Sequence, residues 1–112
     1  MDTAFVTTWK IPFPGREMKA LELGAQSGEY WGKQAAEGRC TAPEWFFFPN
    51  GTGMWMVKGE RRVLEDLVNG DEVRRLLVRG SLLLEDWQYM FVETASGAER
   101  LMGQYAAELA AI

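Results

Sequence analysis

The chain has 112 residues, of which 47% are hydrophobic and 25% charged, a balance typical of one folded globular domain. Its formal net charge of −4 provides no electrostatic basis for binding a phosphate backbone, so nucleic acid is not an expected partner. Histidine is absent and Cys40 is the single cysteine, which excludes histidine-dependent catalysis, an internal disulfide framework and a cysteine-rich zinc site.

The first predicted elements are a strand and a helix. Residues 4–11 are rich in β-branched and aromatic side chains, which predicts a strand. At a period of two, one face of this strand carries Phe5, Thr7, Trp9 and Ile11. Two prolines and a glycine end the strand, and a helix is predicted over about residues 16–38.

This first helix carries two apolar faces. One is a stripe of small and apolar residues at helical spacing: Met18, Leu21, Ala25, Gly28, Gly32 and Ala35. We expect this stripe to face the sheet, because its glycines allow a close approach of the two backbones. The second patch consists of Ala20, Leu23, Tyr30 and Trp31. A helix with two apolar faces usually buries both of them.

A hairpin is predicted next. Residues 41–49 form its first strand and 54–59 its second, joined by the turn Asn50-Gly51-Thr52-Gly53. Asparagine and glycine tolerate the positive φ that such turns require. The aromatic run at 45–48 suggests a strand that is covered on both faces.

The remaining predicted elements are a helix, a strand and a final helix. A helix is predicted over about 61–78, interrupted at 69–71, and residues 79–86 are interpreted as a connection. Residues 87–93 predict the fourth strand, and about 97–110 a final helix.

The order strand–helix–strand–strand–helix–strand over residues 4–93 predicts an α+β, ferredoxin-like antiparallel sheet with its helices on one face. The final helix is an addition to this single domain. The other sheet face would then be open, and we expect it to carry aromatic residues. An exposed apolar sheet face favours a homodimer in which two sheets pack face to face.

This pattern resembles the dimeric α+β barrel superfamily, which includes YCII-like and antibiotic-biosynthesis-monooxygenase-like proteins. The resemblance covers residues 4–93 and rests on element order, the Asn50-Gly51 hairpin and the strand at 87–93. It implies a homodimer with a cavity between sheet and helices. The activities of the superfamily include isomerisation, lactone chemistry, cofactor-free oxygenation and haem degradation. The branches that depend on histidine do not fit this chain.

Aromatic residues are the first candidates for a ligand pocket, since they make up 12% of the chain. The pocket candidates, chosen for aromatic or ionisable character near the predicted sheet, are Trp9, Tyr30, Trp31, Phe46, Trp55 and Arg79. The alternative is that the aromatic residues only form a core and a subunit interface.

Proton transfer has three candidates: Glu44 beside the aromatic run, Glu93 at the end of the fourth strand, and Tyr89 within it. A carboxylate inside an apolar barrel would have a raised pKa suited to acid–base chemistry. The alternative for each residue is an ordinary solvated position at a strand end or surface.

These observations favour a homodimer that binds a small, partly aromatic molecule in an apolar cavity, with any turnover requiring neither metal nor organic cofactor. The alternative is a non-catalytic assembly or regulatory module, in which the final helix uses Leu101, Met102, Tyr105 and Leu109 for association. The N-terminus lacks the features of a secretory signal, and no apolar run approaches the ~20 residues that cross a bilayer. We therefore expect a cytoplasmic protein with no membrane partner.

Overall fold

A four-stranded antiparallel sheet organises the structure, a computed structural model that describes residues 1–112. Its strands are β1 (Thr3–Trp9), β2 (Glu44–Phe47), β3 (Gly53–Gly59) and β4 (Gln88–Glu93), in the order β2-β3-β1-β4. The helices are α1 (Glu17–Ala36), α2 (Arg61–Val68), α3 (Asp71–Leu83) and α4 (Ser96–Ala111). The predicted α+β, ferredoxin-like fold is confirmed.

The core lies between the sheet and the helices. Phe5, on the central strand β1, is opposite Val57 of β3 on one side and Phe91 of β4 on the other. Directly paired residues share a face, so these three side chains point the same way. They meet Trp31 of α1 and Leu64 of α2, and Phe5, Val57, Trp31 and Leu64 are all at most 1% exposed.

The buried face of α1 differs from the predicted one. The buried residues are Leu23, Ser27, Trp31 and Gln34, whereas Met18 and Leu21 of the predicted stripe are 72% and 69% exposed. Leu23 and Trp31 remove far more apolar area from water than glycines can, so the second patch determines which way the helix faces. The glycines of the stripe make no close backbone contact: a Cβ at Gly32 would have no atom within 4 Å, and one at Gly28 would meet only the side chain of Trp45, at 3.9 Å.

The predicted connection at 79–86 is also partly wrong, because α3 continues through Gly80 to Leu83. A glycine inside a helix is normally unfavourable by about 1 kcal/mol relative to alanine. Here it provides the space in which the ring of Trp87 packs, since a Cβ at Gly80 would lie 2.3 Å from that ring. Packing therefore compensates for the weak helix propensity at this position.

The sheet face opposite the core helices is apolar but not aromatic. The register places six apolar side chains in its central part: Ala4, Val6, Met54, Met56, Met90 and Val92. Phe46, which is 41% exposed, is the one aromatic residue of the four strands on this face. The expectation of an aromatic open face is wrong, because the strand register turns Trp9, Trp45 and Trp55 towards the helices.

The final helix, α4, extends away from the rest of the chain. The Cα radius of gyration is 15.8 Å, against about 13 Å for a compact chain of this length. Arg100 ties the start of α4 to the N-terminus, with its Nη2 3.0 Å from Oδ2 of Asp2. The pKa of the Asp2 carboxyl is lowered by its hydrogen bond from Thr3 and, to a lesser extent, by that from Arg100. Further along the helix, Tyr105 and Leu109 are 64% and 75% exposed.

None of the four helices has both the length and the apolar character needed to span a membrane.

Candidate functional site

A cavity of about 550 Å³ opens between α1 and the end of the sheet where β1 finishes. Aromatic rings dominate its lining: Trp9, Trp45, Phe47, Trp55 and Trp87. The rings contact one another as well as the cavity; for example, those of Trp9 and Trp45 are 6.4 Å apart at 66°. Such edge-to-face packing gives the wall a fixed shape, which is what a preformed binding site needs.

The strand register explains why these rings gather at one place. Trp45 and Trp55 are directly opposite each other on β2 and β3, with ring centroids 6.0 Å apart. Trp9, the last residue of β1, is opposite Gly53. A Cβ at Gly53 would lie 2.5 Å from the Trp9 ring, so the glycine makes room for that indole to lie across the sheet.

Trp87 closes the wall from the side of β4. Its ring stacks on that of Trp9, with centroids 6.2 Å apart and planes at 30°, and its other side rests on Gly80 of α3. The Trp87 indole N–H is buried and has no hydrogen-bond partner within the chain. The placement of this ring therefore depends on packing rather than on a polar contact.

Replacing Gly80 with alanine is expected to displace the Trp87 ring and to lower the free energy of unfolding by about 1–3 kcal/mol, the usual cost of overpacking. Gly24→Ala is the matched control. It also adds one methyl group to a helix, but into open space, and should raise the free energy of unfolding by about 0.5–1 kcal/mol. Denaturant unfolding of both variants measures this, and equal effects of the two would contradict the packing described for Trp87.

Two polar side chains complete the lining. Ser27 is buried on the face of α1 that points to the sheet, and Glu17 lies at the mouth where α1 begins. Both carboxylate oxygens of Glu17 accept a hydrogen bond from the Gly15 N–H, each at 3.0 Å. This contact holds the carboxylate beside the opening. The site is thus an aromatic cavity with one negative charge at its mouth.

Of the pocket candidates from the sequence, the structure brings Trp9 and Trp55 together in the cavity lining. Trp31 lies in the core, 1% exposed, and Tyr30 packs edge-on against it with ring centroids 5.2 Å apart. The pKa of Tyr30 is raised, first by burial and then by the negative charge of Glu72.

The two other pocket candidates lie elsewhere on the surface. Phe46 is on the open face of the sheet, opposite Met54. Arg79 of α3 donates a hydrogen bond to Oε1 of Gln26 in α1 at 2.8 Å, and so links two helices outside the cavity.

The candidates for proton transfer are also outside this lining. Glu44 lies on the edge strand, 3.7 Å from Nζ of Lys58, and Glu93 lies 3.2 Å from Nη1 of Arg61. Tyr89 is half-exposed beside a second cavity of about 380 Å³, which it shares with Arg74. The structure does not bring the three residues to one site.

Sequence reasoning missed Glu17, Ser27 and Gly24 as lining residues, and did not single out Trp45, Phe47 or Trp87 for the pocket. The available signal was the pairing of Trp45 with Trp55 across the Asn50-Gly51 turn. The contribution of α1 depends on which of its faces is buried. Cys40 is buried in the core, and burial raises the pKa of its thiol.

Comparison with solved structures shows what this architecture is similar to. A protein of unknown function from Nitrosomonas europaea is 21% identical, with a TM-score of 0.59 over 83% of this chain and 88% of that one. A dimeric protein of unknown function with a ferredoxin-like fold, from Bacteroides fragilis, is 9% identical, with a TM-score of 0.56 over 83% and 96%. An antibiotic biosynthesis monooxygenase is 14% identical, with a TM-score of 0.58 over 83% and 98%.

These similarities confirm the ferredoxin-like α+β fold that the element order predicts. No protein-family profile matches the chain, and no functionally curated protein is detectably similar to it in sequence.

Proposed function

We propose that the chain forms a homodimer and binds a small, partly aromatic molecule in the cavity between α1 and the sheet. The observation that carries this proposal is the cavity itself, with its wall of four tryptophans and a phenylalanine. Its volume of about 550 Å³ falls within the range of small-molecule sites, roughly 300–1,000 Å³. A flat ring system could stack on such a wall and bury most of its surface.

Exposed apolar side chains at the mouth support the proposal. Phe47 and Leu21, both in the lining, are 71% and 69% exposed. A bound molecule of this size would cover part of that surface, which would add hydrophobic stabilisation at about 25 cal/mol per Å² removed from water.

The open sheet face supports the dimer. It presents a methionine-rich apolar surface at the centre of the sheet, bordered by the Glu44–Lys58 ion pair. Such surfaces usually mark interaction sites, and a sheet packed on its own copy buries the same patch on both subunits. The ferredoxin-like neighbour from Bacteroides fragilis is described as dimeric, which agrees with this arrangement.

The proposal concerns binding first and turnover second. One structural neighbour is named an antibiotic biosynthesis monooxygenase, and cofactor-free oxygenation is among the activities that the resemblance implies for the superfamily. Because Glu44, Glu93 and Tyr89 lie outside the lining, Glu17 is the one ionisable side chain that borders the cavity.

Filling the cavity from α1 tests the proposal. Gly24 lines the cavity and has open space at its Cβ position, so Gly24→Leu should occupy part of the ligand volume. We expect the wild-type protein to bind members of a library of flat aromatic compounds, and this binding should quench tryptophan fluorescence. Gly24→Leu should bind the same compounds at least about tenfold more weakly, because the ligand would have to displace the leucine side chain.

Gly32→Leu is the matched control, because it adds the same side chain to the same helix, also into open space but outside the lining. It should bind like the wild type. Equal binding by all three proteins would place the ligand elsewhere, and no binding anywhere in the library would count against the function itself.

The exposed apolar residues of α4 favour a second candidate function, a non-catalytic assembly or regulatory module. Met102, Tyr105 and Leu109 are all more than half exposed and have no partner in the chain. In that case, removal of residues 97–112 should convert dimers to monomers or aggregates. A dimer formed by the open sheet face would survive the same truncation.

A further inference from the structure

The charges around the cavity indicate which class of ligand it binds. This inference rests on the function proposed above. The lining contains 14 residues, of which Glu17 is the only one with an ionisable side chain. No lysine or arginine is among them. A negatively charged ligand would therefore meet a negative charge at the mouth and no compensating cation inside.

Glu17 is not neutralised by a neighbouring base. Its carboxylate accepts hydrogen bonds from the neutral backbone of Gly15 and takes part in no ion pair of the chain. The same contact occupies a backbone N–H that precedes α1, which removes a donor that an anion could otherwise use.

The basic residues next to lining residues in the sequence, Lys10, Arg16 and Lys19, all lie outside the lining. Arg16 donates a hydrogen bond to the backbone carbonyl of Leu82, and its guanidinium lies 5.5 Å from the centre of the Phe13 ring. Lys10 lies 3.9 Å from the carboxylate of Asp86. Neither residue belongs to the lining.

The wall itself also favours a cation. Tryptophan has the aromatic ring whose negative face attracts cations most strongly, and four of the lining residues are tryptophans. The attraction is larger where water is excluded, and the lining residues Leu23, Ser27 and Trp55 are buried.

We propose that the cavity selects molecules that combine a flat apolar ring with a positive charge: protonated aromatic amines or aromatic quaternary ammonium compounds. The ring would pack on the tryptophan wall, and the ammonium group would lie towards the mouth, beside the Glu17 carboxylate. Neutral aromatic molecules of the same size would bind more weakly, and carboxylates most weakly.

Three probes of nearly equal size test this selectivity at neutral pH: naphthylmethylamine, which is protonated, naphthylmethanol, which is neutral, and naphthoate, which is an anion. Titration calorimetry on the full-length protein should show the amine binding about five-fold more tightly than the alcohol, as expected for one partly exposed cation site. Naphthoate should bind more weakly than both. The ratio of amine to alcohol affinity should fall as salt is added, because salt screens an exposed carboxylate.

The variant Glu17→Gln should lower the ratio of amine to alcohol affinity at least about twofold, because the carboxylate is lost while the tryptophan wall remains. Glu22→Gln, which removes an exposed carboxylate from the same helix outside the lining, should keep the wild-type ratio. Alcohol binding as tight as the amine, or a ratio in Glu17→Gln that is unchanged from the wild type, would overturn the inference while leaving aromatic binding intact. Failure of all three probes to bind the wild type would instead count against the proposed function.

Discussion

Replacing Phe5 with alanine is expected to lower the free energy of unfolding by about 3–5 kcal/mol, the range for removing a fully buried aromatic side chain. Phe5 is 0% exposed on the central strand. Its ring centroid lies 5.9 Å from that of Trp31, 6.0 Å from that of Trp55 and 5.2 Å from that of Phe91. A cavity at this position would loosen α1, β3 and β4 together, because all three pack on the same ring.

Urea unfolding measures the effect. The control is Phe48→Ala, because Phe48 follows β2 and is 51% exposed, so its loss should change the free energy of unfolding by no more than about 0.5 kcal/mol. Since a domain of this size is stable by roughly 5–15 kcal/mol, Phe5→Ala should remove a large part of the total. A difference between the two variants of less than about 1 kcal/mol would show that Phe5 is not the centre of the core.

Replacing Met90 with glutamate is expected to dissociate the proposed homodimer. Met90 lies beside Val6 on the open sheet face and is 38% exposed in the single chain, so the substitution should leave the folded monomer intact. In a dimer built on that face the two new carboxylates would be buried without partners. An uncompensated buried charge costs several kcal/mol, enough to raise the dimer dissociation constant by at least about 100-fold.

Met18→Glu is the control for the second prediction. Met18 is 72% exposed on α1, on the other side of the sheet, and the same substitution there should leave the dimer unchanged. Sedimentation velocity at micromolar concentration distinguishes the two species. A Met90→Glu variant that remains dimeric would exclude the open face as the subunit interface.

Much of the fold follows from local patterns in the sequence. The strand period of two around Phe5 and Trp9 and the turn at Asn50-Gly51 define β1 and the hairpin, because residue type and turn chemistry act over a few neighbouring residues. Where two helical faces compete, local patterns are insufficient. The glycine stripe of α1 has the correct spacing for packing, but Leu23 and Trp31 bury more area, and only the folded sheet decides between the two faces.

The cavity could be predicted only in part for the same reason. Trp55 is on β3, whose register with β2 the hairpin fixes, whereas Trp9 is on β1, whose pairing with β3 joins distant parts of the chain. Trp87 lies in the lining because Gly80, seven residues earlier on α3, leaves room for its ring. Glu17 lies there because α1 begins at the mouth. These contacts are between separate elements of the fold, so they cannot be predicted from the spacing of residues in the sequence.

Native mass spectrometry tests most directly whether this chain is a ligand-binding dimer. The protein is measured as purified and again after addition of an excess of naphthylmethylamine. The expected species is a dimer that carries one small molecule per chain, either retained from the cell or taken up from the added probe. The Gly24→Leu variant should form the same dimer but need at least about tenfold more probe to reach the same added mass. A monomer, or a wild-type dimer that takes up no small molecule, would contradict the proposed function.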